Sequence, residues 1–98
     1  MSLPKKLKIM GHIVSIKIDH EYCLNKGCNG ESSPDEAIIR LVNFEKKGIP
    51  EDRQMQIVLH EILHMCNAYL GLQDTSMDEE QYIEQLSSLL NQIIPQLQ

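Results

Sequence analysis

The chain has 98 residues, 42% of them hydrophobic and 23% charged, with 9 Lys plus Arg against 14 Asp plus Glu and a formal net charge of −5. This length sets an expectation of one domain spanning 1–98, and the composition excludes a disordered chain. The acidic balance disfavours nucleic acid and anionic membranes as partners, since both require basic surface. The longest apolar run is three residues, as in Ile57-Val58-Leu59, too short for a bilayer span or a signal-peptide core. A cytoplasmic setting is therefore expected, with the three cysteines as reduced thiols.

In chain order, apolar residues alternate at Leu7 and Ile9, and again at Val14, Ile16 and Ile18, with the phase slipping at Gly11. A slip of one residue in a period of two requires a turn or a bulge, so two short strands or one bulged strand are expected within 5–19. Residues 20–35 collect Asn25, Gly27, Asn29, Gly30, Ser32, Ser33 and Pro34 and read as a loop. Ala37-Ile38-Ile39-Arg40-Leu41-Val42 reads as a strand within 36–43, ended by Lys46-Lys47-Gly48. Pro50-Glu51-Asp52 has the chemistry of a helix start. Met55, Val58, Leu59, Ile62, Cys66 and Tyr69 then lay an apolar stripe along a helix of about 50–70, with Gly71 as its stop. Ser76-Met77-Asp78-Glu79 has a capping-box pattern, and Tyr82, Ile83, Leu86, Leu89, Leu90 and Ile93 continue a second helix of about 77–94, limited by Pro95.

His60-Glu61-Ile62-Leu63-His64 is an HExxH pattern, and it falls inside the segment read as helical from its apolar stripe. Residues four apart on a helix share a face, so His60 and His64 can converge on one zinc ion while Glu61, offset by one residue, acts as general base toward a water. With 4 His and 9 Glu in 98 residues, chance gives such a pattern in roughly one or two chains in a hundred. A catalytic zinc site needs a third protein ligand. The extended pattern HExxHxxGxxH is excluded, because Cys66 and Leu70 stand where it requires Gly and His. The acidic start of the second helix offers Glu80 as the ligand, with Glu84 four residues on as a hydrogen-bond partner of a ligating histidine. Asp78 and Glu79 fit a role in favouring the helix dipole. Cys23 and Cys28 form a Cys-x4-Cys pair that needs His20 and one more ligand to close a rival zinc site, and they read more simply as thiols without a metal. His12 reads as structural. Tyr69 and Tyr82 read as core residues, with oxyanion stabilisation as their functional alternative.

Gly11-His12 before a strand, Ile49-Pro50-Glu51-Asp52-Arg53-Gln54-Met55, the HExxH segment, Tyr69-Leu70-Gly71-Leu72 and the acidic helix together resemble small zincin-like proteins of phages and prophages of Gram-positive bacteria. They are more distantly similar to ImmA/IrrE-type metallopeptidases and the gluzincins. The resemblance covers Leu7 to about Leu90 and is most specific over 50–72. It implies a zinc-dependent peptidase with His60, His64 and Glu80 as ligands, Glu61 as catalytic base and Glu84 behind them. Ile83 departs from the Ala or Ser of the related later-helix patterns, and for ImmA/IrrE-type relatives the substrate is a repressor protein.

The expected fold is α+β: a small antiparallel or mixed N-terminal sheet packed on the HExxH helix, with the C-terminal helix closing the site in a minimal zincin-like arrangement. The expected activity is hydrolysis of a peptide bond in a protein substrate, with an exposed sheet edge to hold it. With little chain to build a second lobe, the cleft is expected to be open and the substrate range narrow. The alternatives are a non-catalytic zinc-containing binding or regulatory module of phage origin, and a metal-free helical interaction domain.

Overall fold

The computed structural model describes residues 3–9, 11–70 and 79–97. Strands β1 (Lys6–Ile9) and β2 (His12–Ile18) form an antiparallel pair in which Ile9 stands opposite His12. Gly11 takes φ +86°, a left-handed conformation that side chains disfavour. The phase slip at Gly11 is thus a hairpin rather than a bulge. Val14 is fully buried and Ile16 half-buried, whereas Ile18, which shares their phase, is exposed.

The segment 20–35, expected as a loop, instead holds helix α1 (His20–Lys26) and strand β3 (Gly30–Ser33). Its turn formers sit largely at element ends: Gly27 caps α1 at φ +69°, and the backbone N–H groups of the cap donate to the Cys23 and Leu24 carbonyls. The strand Gly-Glu-Ser-Ser lacks β-branched or aromatic residues, so its propensity is poor. It is extended because it pairs antiparallel with β4 (Ile38–Leu41), Gly30 opposite Leu41 and Ser32 opposite Ile39. On the other face Tyr22 of α1 donates a 2.6 Å hydrogen bond to Glu31, and the Arg40 guanidinium lies 4.9 Å from the Tyr22 ring centroid. That hydrogen bond holds the Glu31 carboxyl below its ordinary range.

β4 also pairs in parallel with β2, giving the mixed order β1-β2-β4-β3 with β3 at an edge. Residues 44–47, beyond the expected strand, form the one-turn helix α2 (Phe44–Lys47), started by an Asn43 side-chain cap and ended at Gly48. Helix α3 (Glu51–Leu70) occupies the segment expected to be helical and starts at the expected place. Its deepest positions, however, are Ile57, Val58, Glu61 and Met65, one step round from the expected stripe, while Ile62, Cys66 and Tyr69 pack half-buried on the core. The shift arises because α3 lies between two partners, the sheet on one side and α4 (Glu79–Leu97) on the other. Ile83 and Ser87 of α4 are buried. α4 continues through Pro95 to Leu97, so the proline does not limit it; in the last turn its missing N–H removes a single helical bond. Gly71 and the capping-box residues Ser76, Met77 and Asp78 lie outside the described residues. The fold is α+β with a four-stranded mixed sheet and, among the described residues, four helices, none long and apolar enough to cross a membrane.

Candidate metal centre

One helical turn apart on α3, His60 and His64 bring their Nε2 atoms to 3.2 Å, with their rings edge-on. Glu80, in the first turn of α4, spans the pair: Oε1 lies 2.6 Å from His60 Nε2 and Oε2 lies 3.0 Å from His64 Nε2. The sequence separates these ligands by sixteen residues, and the antiparallel return of α4 along α3 unites them. Among the described residues, His60, His64 and Glu80 form the group whose ligand atoms all fall within 4.8 Å of one another.

Each imidazole is also held from behind. Glu84 Oε2 lies 2.8 Å from His60 Nδ1, and its Oε1 accepts from Gln56 Nε2 at 3.0 Å. Glu79 Oε1 lies 3.3 Å from His64 Nδ1 and accepts from Asn67 Nδ2 at 2.9 Å. Glu79 therefore does more than favour the helix dipole, and it pairs with the second histidine as Glu84 does with the first. Carboxylates at both Nδ1 atoms select the tautomer that leaves a lone pair on each Nε2. Two lone pairs and a carboxylate, all acceptors, then converge on one point. Such a set could hold a metal cation. With one ligand atom from each residue, the three lie within 4.8 Å of one another, close enough for the group to hold one metal ion. Two imidazoles and one carboxylate are ligand types that zinc accepts.

Glu61 takes no part in this cluster. Its helical offset turns it toward the sheet, where it is only 6% exposed. Ser32 Oγ donates to Glu61 Oε1 at 2.7 Å and lies 2.8 Å from the Glu61 carbonyl oxygen. Gly30, two residues earlier on the same strand face, provides the space: a Cβ there would stand 3.0 Å from Glu61 Cγ, 3.1 Å from Leu41 Cδ2 and 3.2 Å from Glu61 Oε2. Burial raises the Glu61 pKa, opposed by the Ser32 hydroxyl and by His60 and His64. The direction suits a group that must accept a proton.

Glu61, His60, Glu80 and Glu84 line one cleft of about 230 Å³. Gly30 and Ser32 were hidden within the turn-former cluster; their alternation immediately before a buried strand is the signal that marks them as an inward-facing pair. Cys28 lines the cleft, whereas Cys23 is fully buried and its thiol is pushed up to about 11 by burial. His20 accepts a hydrogen bond on Nδ1 from the Asn43 N–H, and among the described residues it does not join Cys23 and Cys28 in a metal-binding group. His12 stacks on Tyr69 with ring centroids 3.9 Å apart, and Tyr69 donates to the Pro34 carbonyl at 3.3 Å. Tyr82 is exposed on α4. Compared with protein-family models, curated proteins and solved structures, the chain matches none, so its own side-chain chemistry carries the functional argument.

Proposed function

We propose that the chain is a zinc-dependent metallopeptidase of minimal, gluzincin-like construction, in which His60, His64 and Glu80 hold the metal and Glu61 is the general base. The observation that carries this reading is a convergent His60-His64-Glu80 cluster beside a cleft that His60 and Glu80 line together with the buried, hydrogen-bonded Glu61 carboxylate. The resemblance of the HExxH segment to zincin-like sequences, and the order of sheet, motif helix and acidic helix, support it.

Zinc bound there supplies a Lewis acid that polarises the scissile carbonyl and acidifies water. The protein's own groups supply the rest. Glu61 accepts the proton of the attacking water and returns it to the departing amine. Ser32 fixes one oxygen of Glu61, leaving Oε2 on the Gly30 side of the cleft. Glu84 and Glu79 hold the imidazoles in the metal-binding tautomer. β3 is an edge strand, and its free backbone groups can pair with an extended peptide. The resemblance to ImmA/IrrE-type proteins directs the search for substrate toward phage regulatory proteins.

Glu61→Gln tests the assignment. The variant should keep the zinc stoichiometry of the wild type, measured by elemental analysis, and lose cleavage of a peptide library read by mass spectrometry. A second reading, a non-catalytic zinc module, draws on Cys28 as a lining residue of the same cleft and possible fourth ligand. Under that reading the cobalt-substituted protein shows a thiolate charge-transfer band that Cys28→Ser removes, and Glu61→Gln changes no function.

A further inference from the structure

Arg53, Gln56, Ile57, His60 and Glu61 follow one another at helical spacing, and all five line the cleft. Ser32 meets Glu61 and Pro34 meets Tyr69, so β3 and α3 run in the same sense. The chain before Gly30, including the lining residue Asn29, accordingly lies toward the first turns of α3, where Arg53 stands. The cleft thus has two poles. Glu61, Glu80 and Glu84 mark one, and Arg53 is the only Lys or Arg among the lining residues.

The carboxylates of that cleft are engaged elsewhere: Glu80 by both histidines, Glu84 by His60 and Gln56, and Glu61 by Ser32. Among the described residues no carboxylate lies within ion-pair distance of Arg53, although the chain carries a net charge of −5. A guanidinium presents a planar fork of donors matched to a carboxylate. Seven residues of helix separate Arg53 from His60, a rise of about 10 Å. That rise spans about three residues of extended peptide.

Resting on the peptidase reading above, we infer that Arg53 is a substrate-selecting residue that binds a carboxylate of the peptide. The carboxylate is either an acidic side chain two or three residues from the scissile bond or the free C-terminus at that distance. A carboxylate held there fixes the register of the peptide against β3 and places its backbone across Glu61.

The test is isothermal titration calorimetry at physiological salt, using the full chain with Glu61→Gln so that peptides survive. One series of acetylated, amidated hexapeptides carries Glu at each position in turn, a second carries Gln, and a third carries Gln with a free C-terminus. Either one Glu position or the free C-terminus should bind about tenfold tighter than its neutral counterpart. That preference should vanish when Arg53→Ala is added and turn toward Lys-containing peptides with Arg53→Glu; circular dichroism checks that both variants fold. The arm that responds identifies the source of the carboxylate. Equal binding of acidic and neutral peptides, a preference that survives Arg53→Ala, or no binding by any peptide overturns the inference. Zinc content and cleavage of the same peptides by the wild type report on the parent reading separately. A zinc-free, inactive chain that still selects carboxylates through Arg53 removes the peptidase and keeps the subsite, and an active zinc enzyme indifferent to them does the reverse.

Discussion

Helix α3 meets its two neighbours by different physics. Toward the sheet it buries Ile57, Val58 and Met65 against Val14, Ile39 and Leu41, and the one charged group on that side, Glu61, is held by Ser32. Toward α4 the apolar contact is joined by half-exposed polar pairs, His60 with Glu80 and Glu84 and His64 with Glu79 and Glu80. The sheet side is complete within the protein. The α4 side gathers His60, His64 and Glu80 at one point, where they could hold a metal ion. Under the proposed function, the difference separates the two tasks of the motif: a base preset in its position, and a ligand set that a metal would draw together.

The sharpest way to break this comparison is to remove a ligand. His60→Ala and His64→Ala should each abolish stoichiometric zinc by elemental analysis while leaving the sheet signature in circular dichroism; full zinc in either variant sinks the centre. A smaller effect on the same side is expected from Glu84→Gln. Loss of the carboxylate behind His60 should weaken zinc about 10- to 100-fold in a chelator competition.

On the sheet side, Gly30→Ala forces a methyl group against Glu61 and Leu41. Overpacking of that kind costs about 1–3 kcal/mol in urea unfolding, and zinc affinity should stay near the wild-type value. Ser32→Ala removes a hydrogen bond from a buried carboxylate, a cost of about 1.5–3 kcal/mol if that group is charged. Its turnover should fall through kcat rather than KM, because Ser32 positions the base and holds neither metal nor substrate. A change in zinc stoichiometry in Ser32→Ala would show that the two sides of α3 are not separate.

The extended segments flanking Gly11, strand β4 and helix α3 were legible because each carries its own period, two for the strands and three to four for the helix, whereas the choice of hairpin over bulge at Gly11 was left to the structure. Helices α1 and α2 were not, since α1 places only Cys23 in the core and α2 is a single turn. β3 was illegible for a stronger reason. Gly30 and Ser32 are small and polar, and their reason for being small is Glu61, twenty-nine or more residues away. A local reading sees turn formers there, and only the neighbour explains them. The position of the deepest face of α3 was similarly hidden, because a helix covered on two sides has no single stripe.

His60, Glu61 and His64 were within reach of the sequence alone, because one helical turn of covalent chain sets their mutual geometry, and the acidic start of the last helix offered Glu80 as the proposed third ligand with Glu84 behind it. The tertiary structure decided what depends on distant segments meeting. It placed Glu80 across both Nε2 atoms, sent Glu84 and Glu79 to separate imidazoles, and brought an edge strand of low propensity against the base. Local geometry can be read from spacing; partners across the fold are chosen by packing, which no spacing records.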